Sequence, residues 1–394
     1  MKTLHQSPTD PAFVQNPYGF YDTARAGGDL FHWAEYGMAC ATSYKAVSAV
    51  LRDRRLGREV PGEHATPPAP HTTDFYGVEA HSMLELERPR HTRLRGLVLR
   101  AFTSRRIAAL APEIEALCHS LIDGFDPEFD LLTAYGQNVP VIVIARLLGV
   151  PDSLAPQLLA WSNAMVGMYQ AGRTHAMEVA ANAAARDFSA FLRGYVEQRR
   201  TTPADDLITH LIAAEEDGEK LSTDELITTC ILLLNAGHEA TVHTLGNGVK
   251  TILEHNVPRE FLTPDTITAT VEEIIRFDPP LHMFTRWVYE DCTVAGHSFK
   301  RGDQIACLLG AANRDPVAYD APNTFDPTRN GPANTSFGAG PHFCVGAPLA
   351  RLELQIALRV LFERHPGIAL AQRPVFNDIY HFHGLRSLPV TLNR

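Results

Sequence analysis

Little in these 394 residues points to a membrane, to nucleic acid or to a disulfide framework. No stretch reaches about eighteen consecutive apolar residues, the length at which a run begins to read as a spanning helix. The opening residues, MKTLHQSPTDPAF, lack the apolar centre of a secretory signal, so the chain is expected to be cytoplasmic and to have no membrane anchor. Positive charge is in deficit. Thirty-five Lys and Arg against 45 Asp and Glu give a formal charge of −10, which argues against nucleic acid as a general partner. The six cysteines, at 40, 118, 230, 292, 307 and 344, contain no C-x-x-C pair. That spacing makes neither a zinc ribbon nor a set of staples, and it fits a reducing compartment. Repeats, low-complexity tracts and linkers are also missing. What is left is an ordinary globular composition, 45% hydrophobic and 20% charged.

One stretch stands out: Phe337 to Arg351, FGAGPHFCVGAPLAR. Glycines at 338, 340 and 346 surround the single cysteine Cys344 and allow a tight loop that can approach a flat object closely. The following residues, APLARLELQIALRVLFERH, repeat apolar positions at helical spacing, with Pro348 early enough for a first turn. Cys344 therefore sits at or just before a helix N-terminus, where the dipole and free N–H groups favour a thiolate. Zinc needs about four ligands, and His342 adds only one. His342 is also too close in the chain to act as the base of a cysteine nucleophile. A lone thiolate on an open loop suits the axial position of a haem iron, whose porphyrin brings its own four nitrogens. A buried, inert cysteine is the plain alternative.

Along the chain, residues 1–60 mix strand-like and helical segments, and 61–77 form a Pro-, Thr- and His-rich loop of lid length. Residues 88–106 hold seven arginines and no acid. Most would be a solvated helix face, but His91 and Arg95, four apart, are suited to grip an anionic group. From 107 to 220 the pattern is helical. Ser222 and Glu225 form a capping box that opens a helix to about Leu253, roughly 45 Å long at about 1.5 Å per residue. Its apolar middle, CILLLNAG, predicts a helix crossing the interior. Thr266–Arg276 is another helix. Residues 281–309 alternate like strands, with hairpin turns at Ala295-Gly296 and Arg301-Gly302-Asp303, and the tail 376–392 reads as a hairpin. The expected fold is mainly α with small β-sheets, in a single domain over 1–394 with a helix-rich lobe and a smaller β-rich region.

FGAGPHFCVG resembles the haem-binding signature of the cytochrome P-450 haem-thiolate monooxygenases, Phe-Gly-x-Gly-x-His/Arg-x-Cys-x-Gly, with every defined position filled. Glu273-Ile-Ile-Arg276 is similar to that family's E-x-x-R, and Arg329 stands where the third member of its Glu-Arg-Arg network belongs. The likeness runs from about residue 88 to 351 and is of the soluble bacterial type. It implies the P-450 fold, with a long central helix over the haem and the cysteine loop beneath it. It also implies Cys344 as ligand to the iron of haem b (iron protoporphyrin IX), and His91, Arg95, Arg286 and His342 at the propionates. Phe337 and Gly338 would lie against the proximal face. Glu273, Arg276 and Arg329 would be structural.

The long helix then becomes the distal wall. Leu232, Asn235, Ala236, Glu239 and Ala240 share one face at i, i+3, i+4, i+7 and i+8. The resemblance implies proton delivery by Glu239, but it also exposes a departure. The family places threonine directly after the acid, and this chain has Ala240, with Thr241 one residue on. That is a rotation of about 100°, so Thr241 does not simply replace the hydroxyl. A substrate hydroxyl or carbonyl, or ordered water with His243, could complete the relay; a reaction less demanding of controlled O–O cleavage is the third explanation. Substrate contacts are expected from 61–86, 160–180, Leu232, Asn235, Ala236, Leu281, His282, Phe284 and, in the segment His381–Gly384, Phe382. Asn235, His282 and Thr72 add polarity to an apolar pocket, which points to a mid-sized, partly oxygenated molecule such as a terpenoid, steroid or polyketide.

The implied activity is monooxygenation: an oxidoreductase acting on paired donors, inserting one atom of O2 as a hydroxylation or epoxidation. The chain holds no flavin or iron–sulfur module, so ferredoxin and ferredoxin reductase are the expected partners. Docking would fall on residues 88–106 with Arg359 and Arg364. A hydrogen-peroxide-driven peroxygenase is the rival enzyme, and Glu239 speaks against it. A non-catalytic haem sensor is the rival binding protein, which the missing threonine favours mildly.

Overall fold

The computed structural model describes residues 1–170, 172–216 and 218–392. The chain divides into two compact units. One comprises Met1–Pro61, Glu115–Gly136 and Ala240–Arg394; the other comprises Gly62–Ile114 and Gln137–Glu239.

The first unit is built on a six-stranded sheet. Its order is Lys2–Leu4, Leu30–Trp33, Met38–Ala41, Gln304–Leu308, Met283–Val288 and Leu56–Gly57. Side chains alternate between the faces of a strand. Here both faces are covered, so both alternate sets are apolar. Ala39, Ala41, Ile305 and Cys307 pack into one core with Val47, Val50 and Leu51. Cys40, Ala306 and Leu308 pack into another with Phe13, Tyr21, Phe31 and Trp33. That is why MACA and the IACL of Gln304–Leu308 read as unbroken apolar runs.

The turn at Ala295-Gly296 has φ of 45° and 79° and joins Cys292–Val294 to His297–Phe299 as expected. Gly302, at φ 91°, makes the second turn. The strand after it departs from the expected hairpin: Gln304–Leu308 pairs with Met283–Val288 instead of its predecessor, because its apolar face completes the large sheet. In the tail, Val375–Phe376 pairs with Leu385–Ser387, and Pro389–Leu392 joins Ile368–Leu370 and Glu128–Asp130.

Among its described residues the second unit is helical apart from the two-residue strands Glu215–Glu216 and Glu219–Lys220. The segment 61–77, read as a loop of lid length, carries short turns and the start of the helix Thr73–Glu79. Asn182, on the helix His175–Thr201, accepts the backbone N–H groups of Asp74 (2.7 Å) and Phe75 (3.0 Å) and so seats that helix's first turn. The arginine-rich stretch forms Arg90–Ala101 and Ser104–Ala109.

The helix Thr223–Glu254 contributes to both units, changing over after Glu239. Its capping box is formed. Ser222 N–H donates to Glu225 Oε2 at 2.9 Å, and Glu225 N–H donates to Ser222 Oγ at 3.2 Å. No helix among the described residues is long and apolar enough to cross a membrane.

Candidate active site

The loop before the helix Ala347–Arg364 is closed by its own backbone. Gly338 N–H donates to Thr335 O (2.8 Å), Phe343 N–H to Gly340 O (3.1 Å) and Cys344 N–H to Phe337 O (3.0 Å). Gly338 and Gly340 both have φ of 69°, which L side chains rarely adopt. At Gly340 a Cβ would also stand 2.5 Å from Leu51 O, so nothing larger fits. Cys344 is thereby set three residues ahead of the helix. Of the six cysteines, five are buried and Cys344 alone is partly exposed. Burial pushes the thiols of Cys118, Cys230 and Cys307 up to about 12. Only Cys344 has the presentation an external metal needs, and the loop fits an axial thiolate.

A buried charge network underlies this loop. Arg276 binds Glu273 through both carboxylate oxygens at 2.7 Å. Arg329 Nε donates to Glu273 Oε1 at 3.1 Å, and Asp326 N–H joins the same oxygen at 2.9 Å. Each arginine also donates to carbonyls: Arg276 to Asn313 O (2.7 Å) and Pro322 O (3.0 Å), Arg329 to Thr324 O (2.7 Å) and Ala321 O (3.2 Å). Asn313 was not picked out from the sequence. Its Oδ1 accepts Thr335 N–H (2.8 Å) and the Thr335 hydroxyl (2.9 Å), and its Nδ2 donates to Ser336 Oγ (2.8 Å). The Glu-Arg-Arg cluster is thus wired to the first residues of the cysteine loop. Only the side-chain spacing of NRDP could have hinted at this, and it carries no such signal alone.

Other predicted residues gather around the loop within the first unit. A Cβ at Gly338 would touch the Phe284 ring at 3.5 Å and His342 O at 3.7 Å, so these three are neighbours. The Arg351 guanidinium lies 4.5 Å from the Phe337 ring centre and is held by Glu272. Arg286 is 3% exposed on the strand Met283–Val288, a buried cation. In the second unit, His91 is buried on the inner side of Arg90–Ala101 with Arg95 one turn on and half-buried. The arginines proposed for docking are partly spent. Arg359 pairs with Glu115 (2.8 Å) and Glu363 (3.1 Å), and Arg364 pairs with Asp123 (2.7 Å).

The long helix is buried along most of its length, with one interruption. Residues 232, 233, 236, 237, 239 and 240 are half-buried or exposed, at three- and four-residue spacing. Leu232, Ala236, Glu239 and Ala240 lie on this open stripe, while Asn235 and Thr241 are buried beside it. A Cβ at Gly237 would meet Ile144 Cδ1 at 2.8 Å, so a larger residue there would have to move that side-chain end. Glu239 Oε2 is 3.9 Å from His238 Nδ1. One turn past Ala240, the Thr244 hydroxyl donates to the Ala240 carbonyl at 2.7 Å.

Among the described residues Asn235 Nδ2 meets only Met165 Sδ at 3.7 Å, a weak acceptor, and its Oδ1 is buried with no partner. Leu281 and Phe382 are brought together by an isolated antiparallel bridge. His282 is elsewhere. It is fully buried, with Nδ1 2.7 Å from the Tyr21 hydroxyl, which donates onward to Tyr380. Burial and neighbouring His383 hold its imidazole neutral, well below its ordinary range. It packs among the rings of Tyr18, Tyr21 and Tyr380 and has no exposed edge for the expected substrate contact in this structure. Next to it, His383 and Arg314 hold the Asp278 carboxyl well below the carboxylate range despite its burial. Asn247 Nδ2 donates to both His383 O (2.9 Å) and Asp278 O (3.3 Å), tying the tail to the long helix.

Residues 266–366, which hold Glu273, Arg276, Arg329 and Cys344, match the family model described as cytochrome P450. Over the whole of both chains the sequence is 37% identical to the polyketide biosynthesis cytochrome P450 PksS of Bacillus subtilis (strain 168). It is 34% identical to the biotin biosynthesis cytochrome P450 of the same organism, over 99% of each chain. Among solved structures, P450BioI in complex with hexadec-9Z-enoic acid ligated acyl carrier protein superposes with a TM-score of 0.91. That match is 33% identical and covers 97% of this chain and 99% of the other.

Proposed function

Since the chain belongs to the cytochrome P450 family, whose cofactor is haem b and whose members are monooxygenases, we propose a specific form of that chemistry here. The substrate is a mid-sized organic molecule that carries a hydroxyl or carbonyl of its own, and that group completes the proton path. The observation that carries this reading is the open stripe of the long helix. It presents Glu239 next to Ala240, which has no hydroxyl, and the unpartnered oxygen of Asn235 lies alongside.

Bound haem would supply oxygen activation at an iron held by the Cys344 sulfur. The chain's own residues do the rest. Arg286, His342, His91 and Arg95 are the groups that would match propionate charge. Glu239 holds a proton on the stripe. Ala240 leaves the space beside it to a substrate oxygen or to water. Asn235 accepts a hydrogen bond from a substrate O–H or N–H, which removes the cost of a buried unsatisfied oxygen, about 1–3 kcal/mol. Phe284, Leu281 and Phe382 give apolar contact. Electrons come from a separate ferredoxin and its reductase. The arginine-rich segment 88–106 is the docking face in this reading, without Arg359 and Arg364, whose charges are answered within the first unit.

A carrier-borne substrate is a second reading, and the P450BioI complex favours it, because that relative was solved on an acyl carrier protein. The experiment separates these options. Reconstitution with ferredoxin, reductase and NADH, on free oxygenated polyketide-like substrates and on the same chains tethered to a carrier protein, should give product with NADH consumption. Turnover with hydrogen peroxide exceeding that with redox partners would instead make the protein a peroxygenase. Spectral binding without turnover would make it a sensor.

A further inference from the structure

We propose that His71, His175 and Glu178 bind one divalent cation of the zinc class, fastening the segment Pro70–Thr72 to the start of the helix His175–Thr201. One ligand atom from each residue lies within 4.8 Å of the other two. His71 Nε2 is 2.7 Å from Glu178 Oε2, and the two imidazole rings meet edge to face with centres 4.4 Å apart. Ligands around a tetrahedral ion at about 2.0–2.1 Å stand about 3.3 Å apart, so modest side-chain rotation closes the set. His175, at the helix start and exposed, is free to make that rotation.

The donor set selects the metal. Two imidazoles and one carboxylate suit zinc and its neighbours, whereas calcium and magnesium call for oxygen throughout. Three protein ligands on a surface leave the fourth position to water. Glu178 is prepared for the task. His71 and Arg173 hold its carboxyl below the ordinary range. Arg173 Nε binds the other oxygen, Oε1, at 2.9 Å, so it fixes the carboxylate plane without using the oxygen that faces His71. Zinc would take the place of the hydrogen between His71 Nε2 and Glu178 Oε2.

The site also lies where a clamp has something to hold. Seven residues along the helix, Asn182 already accepts from Asp74 and Phe75 and donates to Asp74 Oδ2 at 2.9 Å. The polar contacts at Asn182 fix one end of the segment; the cation would fix the other, adding an interaction present only in the folded state.

The test uses the haem-loaded protein, cleared of loosely held metal by a chelator and titrated with zinc chloride in a calorimeter, alongside His71→Ala and His175→Ala. His175→Ala is the informative variant, because it leaves the His71–Glu178–Arg173 hydrogen bonds in place. The expected result is one saturable equivalent in the native protein, lost in both variants, with a zinc-dependent rise in unfolding temperature that His175→Ala abolishes. No saturable binding to the native protein would overturn the proposal and leave the cluster as a set of hydrogen bonds. Binding that survives in His175→Ala would overturn it too, by placing the metal at another cluster such as Asp278, His282 and His383.

Discussion

Asn313 Oδ1 receives both the backbone N–H and the hydroxyl of Thr335, at 2.8 and 2.9 Å. Arg276 donates to the Asn313 carbonyl, so this residue links the Glu273 network to the segment that closes on Cys344. Asn313→Ala would leave the buried Thr335 N–H and hydroxyl without their acceptor and take away the donor to Ser336 Oγ. The expected loss is about 2–3 kcal/mol of stability, with faster haem release to apomyoglobin. Unchanged release kinetics would show that the loop holds its shape without Asn313.

Glu273 pairs with two arginines, Arg276 and Arg329, whose side chains are 3% and 9% exposed. Glu273→Ala leaves both charges unanswered, and breaking a buried pair in this way costs about 3–5 kcal/mol. The predicted outcome is poor recovery of haem-loaded protein. Residual holoprotein should keep the native ligand spectrum, since no group at the iron changes. A normal yield and melting temperature would mean that the carbonyls at 313, 322 and 324 suffice for the arginines.

Glu353, on the helix that follows Cys344, is fully enclosed, and burial raises its carboxyl to about 8. A raised folded-state pKa means that the native protein holds a proton the unfolded chain gives up. Its contribution is therefore present in acid and is lost as pH rises from about 4.5 to about 8. Glu353→Gln removes that proton exchange. Relative to the variant, the native protein should lose stability across this window in melting curves taken by pH. Parallel curves would show that the carboxyl is ionised in the fold.

Ala240→Thr puts back the hydroxyl beside Glu239. If a substrate oxygen occupies that place, the new side chain displaces it. Product formed per NADH should then fall about fivefold to tenfold, near 1 kcal/mol of transition-state stabilisation. Yield that is unchanged or higher would remove the support for substrate assistance.

Much of this was readable in the chain because the signals are local. The capping box Ser222/Glu225, the glycines at 338 and 340 and the E-x-x-R pair each span a few residues, so their geometry follows from spacing. What escaped depends on partners far apart. His282 looked like a pocket histidine until Tyr21, 261 residues away, claimed its ring. Arg359 and Arg364 read as a docking patch, and the sequence gives no sign that each pairs with an acid far along the chain, Glu115 and Asp123. Arg314 lies between Tyr18 and Phe277, 3.4 and 3.9 Å from their ring centres, and donates to Phe277 O. No periodicity in NRDP announces that.

The most direct test concerns the sulfur of Cys344. The ferrous protein is treated with carbon monoxide, and its difference spectrum is compared with that of Cys344→Ser at equal circular dichroism. The expected result is the red-shifted Soret band of a thiolate-ligated haem in the native protein and its disappearance in the variant. A native spectrum of the histidine-ligated type, or a thiolate band that persists without Cys344, would contradict the assignment on which the proposed chemistry rests.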